Sequence, residues 1–200
     1  MAVTGFVHHD KLLTNSRAQS GDVLIYTKPV GIGVLTAGIK GGLCDEETRT
    51  FAEGLMMTLN KYARDIMVKY RIHACTDVTG FGMLGHLLEM AQGSGAEIHL
   101  DLSGITFIPQ ALELARPGVL PAGVYRNRHF AQEWVEPGEI ELAVQDLLYD
   151  PQTSGGLMMA VHPEDAPALL EALRQENRVP APQLVGRVAP YKGDKRIYLH

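Results

Sequence analysis

Residue types suited to chemistry are most concentrated in the segment ACTDVTGFGMLGH, residues 74–86. An apolar run ends at Asp77, and a glycine-rich stretch that opens a predicted helix follows it. A carboxylate at a strand end beside free helix N–H groups suits Mg²⁺, an ion that prefers oxygen ligands. The alternative is structural, because Asp77 can cap the helix while the glycines allow close packing of helix on sheet. We predict Thr79 as the N-cap, whose hydroxyl accepts a hydrogen bond from the first turn.

A second candidate is the loop DPQTSGG, residues 150–156, which follows a predicted helix and precedes an apolar strand. Small hydroxyl residues followed by two glycines can present several backbone N–H groups to an anion. The same composition also describes an ordinary tight turn. The candidate site-lining residues of this loop are Thr153, Ser154, Gly155 and Gly156.

A third glycine-rich segment, KPVGIG at residues 28–33, enters an apolar, helix-like run. It is not a Walker A loop, because no G-K-[ST] ends it. It is not a dinucleotide-binding loop either, because Thr36 stands where the third glycine would be. Lys28 can contact a phosphate, but a solvated lysine at a strand end is the favoured interpretation.

The eight histidines are scattered, and neither they nor the two cysteines suggest a nucleophilic site. His8, His9 and Asp10 have a metal-like composition, but adjacent histidines on an extended chain point to opposite sides. We therefore predict a polar turn there. His86 is predicted to be a packed or capping residue of the helix rather than a contact for a ligand held by Asp77. Cys75 is predicted to be a small core residue, because nothing electropositive surrounds it.

The elements that must position these residues are read from apolar periodicity and turn signals. Strands are predicted at residues 22–27, 73–77, 97–101, 156–161, 183–188 and 196–199, with a further short one at 2–7. Helices are predicted at residues 46–69, 80–92, 109–115, 140–147 and 163–176. The stretch 117–139 is predicted to be a long surface loop. The last two strands are predicted to form a hairpin across the YKGDK turn, which favours an α+β fold: a mixed β-sheet with helices packed on its faces.

The composition limits the class of protein. The chain has 200 residues, 46% of them apolar, and a formal net charge of −5. That size suits one large domain or two small ones, and no basic run suggests a nucleic-acid partner. No apolar run approaches the ~20 residues that span a bilayer, so we expect no membrane association. Two cysteines are too few for a disulfide scaffold, which favours a reducing cytoplasm.

Taken together, these segments resemble the carboxyl-terminal half of the selenophosphate synthetase (selenide, water dikinase) family, within the aminoimidazole ribonucleotide synthetase-like superfamily. The resemblance is carried by ACTDVTGFGMLGH and DPQTSGGL. It extends to AVTGFVHHDKLLTN, GDVLIYTKPVGIGVLTAGIK, GVYRN and LVGRV, in the expected order over essentially all 200 residues.

The resemblance implies an activity. The family makes selenophosphate from selenide, ATP and water, releases AMP and phosphate, and requires Mg²⁺. Its product supplies selenium for selenocysteine and selenouridine. The family's amino-terminal half carries the loop with the catalytic Cys or selenocysteine, a Lys, most of the metal-binding aspartates and the main contact of the homodimer.

The resemblance also implies which residues of this chain belong to the site and which parts of the enzyme lie outside the chain. It implies that Asp77 is a metal ligand, and it leaves Thr76, Thr79, Gly80 and the residues of the 153–156 loop as candidate lining. It implies no catalytic residue here, because we expect residues 1–200 to be a single carboxyl-terminal domain without the amino-terminal ATP-binding domain. We therefore expect this chain alone to be inactive and to bind neither ATP nor Mg²⁺ tightly. The alternatives are another ATP-using or phosphotransfer enzyme of the superfamily, or a non-catalytic assembly module.

Overall fold

The computed structural model describes residues 4–200, which form a seven-stranded mixed sheet with helices on both faces. The strands are β1 (Val23–Tyr26), β2 (Ile72–Asp77), β3 (Ala96–Leu100), β4 (Val135–Glu136), β5 (Leu157–Val161), β6 (Gln183–Pro190) and β7 (Ile197–Leu199). The α-helices are α1 (Ile32–Lys40), α2 (Glu46–Met57), α3 (Lys61–Met67), α4 (Gly82–Gly93), α5 (Pro109–Ala115), α6 (Ala122–Ala131), α7 (Leu142–Tyr149) and α8 (Ala166–Gln175). The α+β architecture expected from the sequence is confirmed.

The strand order is β2-β5-β1-β6-β3-β7-β4. The pairs β2·β5, β5·β1, β1·β6 and β6·β3 are antiparallel, whereas β3·β7 and β7·β4 are parallel. In the β2·β5 pair Asp77 lies opposite Leu157, the residue that directly follows the DPQTSGG loop. The sheet register therefore brings the two candidate segments to the same end of neighbouring strands.

The alternation of side chains along β1 divides the core into two layers. Leu24 and Tyr26 point into the larger apolar cluster, which contains the buried face of α4, while Ile25 points into a smaller cluster. The smaller cluster includes Met67 of α3 and Leu169 of α8. Successive strand residues face opposite sides of a sheet, so this short strand, buried at three of its four residues, supports helices on both faces.

The single helix predicted at 46–69 is wrong, because the chain forms α2 and α3 with a break at residues 58–60. Thr58 adopts an extended conformation at the end of α2 (φ −69°, ψ 119°). Its carbonyl oxygen and that of Leu55 accept hydrogen bonds from the Lys28 side chain rather than continuing the helix. A single helix over residues 46–69 would place Phe51 and Leu59 on one apolar face toward the core, but they are 49% and 59% exposed.

The hairpin predicted for the last two strands is also wrong, because β3 lies between β6 and β7. The chain crosses over through residues 191–196, and Ile197 and Leu199 pair in parallel with Ile98 and Leu100. All four side chains are buried in the larger cluster, and this burial favours the crossover over a simple hairpin.

The long loop predicted at 117–139 contains α6, a short 3₁₀ turn and β4. Helical spacing buries Val124, Asn127 and Ala131 on one face of α6, despite the flanking proline and glycine residues. Of the strand predicted at 2–7, residues 2 and 3 lie outside the described residues, and residues 4–7 form no regular element. The other predicted strands and helices agree with the structure to within three residues at each end.

No α-helix formed by residues 4–200 combines the length and the apolar character required to cross a bilayer.

Candidate functional site

Asp77 lies at the carboxyl end of β2 with its side chain exposed to solvent. Among the described residues it takes part in none of the ion pairs. It lines an open groove of about 1160 Å³, together with the polar residues Asp10, Asn60, Arg64 and Thr76. The strand end therefore presents an unengaged carboxylate to a space large enough for a small molecule.

The DPQTSGG loop packs directly against the segment that follows Asp77. The Val78 N–H donates to the Gly156 carbonyl oxygen over 2.9 Å, and the Gln152 N–H donates to the Thr79 carbonyl oxygen over 2.9 Å. A side chain at Gly155 would overlap the Val78 carbonyl oxygen, so only glycine fits there. The structure thus brings together the two segments singled out from the sequence.

The first residues of this loop cap helix α1. The Asp150 Oδ2 accepts from the Gly33 N–H over 2.8 Å, and the Gln152 Oε1 accepts from the Gly31 N–H over 3.2 Å. A carboxylate at a helix N-terminus satisfies free N–H groups and the positive end of the helix dipole. Residue spacing did not indicate this role, because Asp150 and Gly33 are 117 residues apart.

The burial of Asp150 has an electrostatic consequence. Its side chain is fully buried, and loss of solvent raises the pKa of this carboxyl to about 7. Hydrogen bonds from the backbone of α1 and from Gln152 oppose that rise. We therefore expect the Asp150 carboxyl to titrate near neutral pH instead of remaining a permanent anion.

Several N–H groups of the loop are already engaged inside the protein. The Gly156 N–H donates to the Tyr26 hydroxyl over 3.1 Å, and the Leu157 N–H donates to Thr27 Oγ1 over 2.8 Å. Since the Gln152 N–H is engaged as well, an anion at this loop would depend on the N–H groups of residues 153–155. Thr153 and Ser154 are exposed, and Ser154 has a positive φ of 51°.

The prediction of a solvated Lys28 is wrong. Its side chain is buried, and Nζ donates to the carbonyl oxygens of Leu55, Thr58 and Ser154 over 2.9, 2.8 and 2.6 Å. Burial lowers the pKa of this amine to about 8, while three carbonyl acceptors favour the protonated form. The acceptors come from segments distant in sequence, so the local residue pattern held no sign of them.

The prediction of Thr79 as an N-cap is wrong as well. Helix α4 begins at Gly82, and the Thr79 hydroxyl lies 3.2 Å from His86 Nε2, within hydrogen-bonding distance. Gly82 has a φ of +71°, and a Cβ there would lie 2.8 Å from the Tyr149 backbone, so the chain turns tightly before the helix starts. His86 is buried within α4, as predicted.

Asn127 stabilises the turn before α4, although the sequence did not indicate a functional role for it. Its Nδ2 donates to the carbonyl oxygens of Gly80 and Tyr149, each over 2.9 Å. It thereby joins α6 to the turn before α4 and to the end of α7. A smaller concavity of about 580 Å³ lies beside it, lined by Thr79, Gly80, Phe81 and other residues.

The remaining polar candidates are less well placed. His9–Lys11 form an exposed 3₁₀ turn capped by His8, and the potential ligand atoms of His8, His9 and Asp10 lie within 4.8 Å of one another. The polar turn predicted there is confirmed, and it places the two histidine rings 4.4 Å apart. Cys75 is half-buried, and burial followed by the charge of Asp77 raises the pKa of its thiol to about 12, which disfavours a nucleophile.

The surroundings of Asp77 fit Mg²⁺ only as a shared site. Among residues 4–200, Asp77 belongs to no group of three potential His, Cys, Asp or Glu ligands. Mg²⁺ requires six oxygen ligands and usually retains waters or phosphate oxygens. One exposed carboxylate at the rim of a groove therefore suits an ion whose other ligands come from a nucleotide or from another part of a protein.

Comparisons with known proteins identify the family. Residues 19–198 match the family model described as AIR synthase related protein, C-terminal domain. The selenide, water dikinase of Treponema denticola is 47% identical over 98% of this chain and 56% of the relative. That of Clostridioides difficile is 42% identical over 98% of this chain and 56% of the relative. The chain thus spans little more than half the length of these relatives.

The fold recurs in solved structures. A hydrogenase maturation protein HypE, crystallised in complex with ATP, superposes with a TM-score of 0.66 at 18% identity, covering 96% of this chain and 51% of that one. Because the family model matches nine-tenths of the chain, this chain belongs to the AIR synthase related protein family and forms its C-terminal domain.

Proposed function

We propose that this chain is the carboxyl-terminal part of a selenide, water dikinase. The proposal rests on two relatives of that name, 47% and 42% identical along nearly the whole chain. The observation that carries it is the position of Asp77, exposed at a strand end, next to Val78, which bonds to the DPQTSGG loop. In this proposal residues 1–200 are one domain, and an amino-terminal part supplies the catalytic residues.

The proposed reaction converts selenide, ATP and water into selenophosphate, AMP and phosphate, and thereby provides selenium for selenocysteine and selenouridine. Bound Mg²⁺ would offset the negative charge of the ATP phosphates. Asp77 contributes one oxygen ligand to that ion, and Arg64 and Asn60 lie in the same groove. Thr76 lies in that groove, Thr79 and Gly80 line the smaller concavity, and these residues together with residues 153–156 are proposed to line the complete site.

The contribution of this chain is positioning. Catalysis of phosphoryl transfer depends mainly on placing charged groups and on electrostatic stabilisation. The β2·β5 pairing and the Val78–Gly156 hydrogen bond fix the backbone on both sides of Asp77. A metal-ligating side chain on a paired strand is positioned more precisely than one on a free loop.

We infer the assembly and substrates of the active enzyme from the same resemblance, and its location from the two cysteines, which are too few for a disulfide scaffold. The active enzyme is proposed to be a cytoplasmic homodimer whose main contact lies in the amino-terminal part. Its partners are the small molecules selenide and ATP, with no nucleic acid or membrane. Neither ATP nor Mg²⁺ is proposed to bind this chain tightly by itself.

A hybrid protein tests the proposed function. The amino-terminal part of the Treponema denticola relative is joined to this chain, and AMP is measured with ATP and Mg²⁺ in the presence and absence of selenide. We expect AMP formation that depends on selenide. A folded hybrid that binds ATP but forms no AMP with selenide would contradict the proposal.

A further inference from the structure

The buried ammonium of Lys28 connects three segments that are far apart in sequence. Lys28 follows β1, while two of its acceptors, the carbonyl oxygens of Leu55 and Thr58, belong to the end of α2. The third acceptor is the carbonyl oxygen of Ser154 in the DPQTSGG loop. The side chain is 2% exposed, so its charge is removed almost completely from water.

Such an arrangement is costly unless every donor is used. An isolated ammonium in a protein interior is strongly unfavourable, whereas an ammonium with three acceptors has satisfied its three N–H groups. An apolar side chain would fill the same space without that cost, but it could not draw three carbonyl oxygens to one point. The specific effect of Lys28 is therefore to fix these backbone segments relative to one another.

The loop that Lys28 holds is also constrained in other ways. Ser154 is the one non-glycine residue among the described residues with a positive φ, a conformation that needs support from its surroundings. Asn60, in the break between α2 and α3, donates from Nδ2 to the Gly155 carbonyl oxygen over 2.8 Å. Lys28 and Asn60 thus hold consecutive residues of the loop.

This constraint extends to Asp77 through the backbone. The Gly156 carbonyl oxygen accepts from the Val78 N–H, one residue after Asp77. Leu157, the next residue, lies opposite Asp77 in the sheet. The path from the Lys28 ammonium to the Asp77 strand end therefore consists of hydrogen bonds and three consecutive loop residues.

We propose that Lys28 is a positioning residue for the Asp77 site: it locks the 153–156 loop and the end of α2 in place, so that the strand end that carries the Asp77 carboxylate is held in one position. Lys28 itself does not touch substrate in this proposal, because its three donors are already used. The catalytic meaning of this role rests on the proposed function, but the locking of the loop does not.

The test compares Lys28→Met with Lys40→Met, a matched change at an exposed lysine at the end of α1. Hydrogen exchange of backbone amides, measured on this chain, reports how firmly the loop is held. The hybrid protein gives the Mg²⁺ concentration at which the rate of selenide-dependent AMP formation is half-maximal. For Lys28→Met we expect at least tenfold faster exchange of the hydrogen-bonded N–H groups of Gly156 and Leu157, with exchange in β1 and α4 unchanged. We also expect at least a fivefold higher Mg²⁺ requirement, with a smaller loss of rate at saturating Mg²⁺. Lys40→Met should change none of these.

Unchanged exchange in the loop, or an unchanged Mg²⁺ requirement, would overturn the proposal. If Lys28→Met does not fold, Lys28→Gln, which keeps a shorter side chain with two donors, takes its place and should show the same changes to a smaller degree. An unmodified hybrid without selenide-dependent activity would refute the proposed function alone, since the exchange measurement still decides whether Lys28 locks the loop.

Discussion

The N–H of Val78 donates to the carbonyl oxygen of Gly156 over 2.9 Å, and this bond joins the two segments on which the proposed site depends. One segment carries the exposed carboxylate of Asp77 at the end of β2, and the other ends where β5 begins. Because the bond lies one residue from Asp77, the backbone on which the carboxylate stands is fixed by the neighbouring strand. The predictions below follow from this arrangement and from the packing that supports it.

Gly155→Ala is expected to destabilise the chain by about 2 kcal/mol or more, because the added Cβ would overlap the Val78 carbonyl oxygen and force the loop away. Gly80→Ala is the matched control, since a Cβ at Gly80 meets nothing within 4 Å. Urea unfolding of both variants measures the difference. Equal stability of the two variants would mean that the loop does not need to lie so close to β2.

Asp150→Asn is expected to reduce the pH dependence of stability. The folded pKa is raised from its ordinary value near 4 to about 7, so the folded chain retains a proton that the unfolded chain has lost. The stability associated with this group is complete below about pH 4 and decreases as the pH rises to about 7, by up to about 1.4 kcal/mol per pH unit. Asn cannot ionise, so the unfolding free energy of the variant lacks this dependence on pH.

Urea unfolding of the original chain and of Asp150→Asn at several pH values between 4 and 8 measures that slope. The difference in unfolding free energy should move in favour of the variant as the pH increases. Parallel curves for the two proteins would show that Asp150 stays ionised in the folded state.

The chain is expected to fold by itself in one cooperative thermal transition. Two apolar clusters lie on the two faces of the sheet, and a domain of this size buries enough apolar surface for independent folding. Calorimetry should give equal calorimetric and van't Hoff enthalpies. A broad transition with strong binding of an apolar dye at neutral pH would instead show that another part of the protein is needed for folding.

The same purified chain is expected to release no AMP from ATP when selenide and Mg²⁺ are present. A single carboxylate ligand without the other positioning groups of a phosphoryl-transfer site loses most of the catalysis. AMP is measured by chromatography beside the hybrid protein as a positive control. Release by the chain at a rate near that of the hybrid would refute the division of the site between two parts.

Local sequence predicted the elements that carry Asp77, because an apolar run and a glycine-rich turn are properties of neighbouring residues. The contacts that set the loop in place could not be predicted in that way. Lys28 bonds to Ser154 across 126 residues, and Asp150 bonds to Gly33 across 117. Each is a hydrogen bond between a buried polar side chain and a backbone atom. Because every residue type supplies such backbone atoms, residue identity does not indicate which partner is bound.

The incorrect predictions have the same origin. The break between α2 and α3 coincides with carbonyl oxygens that turn toward Lys28, although the apolar spacing continues through it. The position of β7 beside β3 depends on burial of Ile197 and Leu199 against distant residues. The turn residues between the two strands favoured a hairpin. They do not indicate which strand of the sheet offers β7 the larger apolar surface.

The most direct test of the account replaces Asp77 by Asn in the hybrid protein and measures both activity and melting temperature, with Asp194→Asn, an exposed carboxylate in the turn before β7, as the control. Loss of one charge-assisted contact in a desolvated site costs roughly 2–4 kcal/mol, so we expect selenide-dependent AMP formation to fall about 30- to 1000-fold. The melting temperature should be unchanged, because the exposed Asp77 side chain takes part in no ion pair among the described residues. Full activity of Asp77→Asn would contradict the assignment of Asp77 as a metal ligand, and lost activity with a collapsed melting temperature would make its role structural.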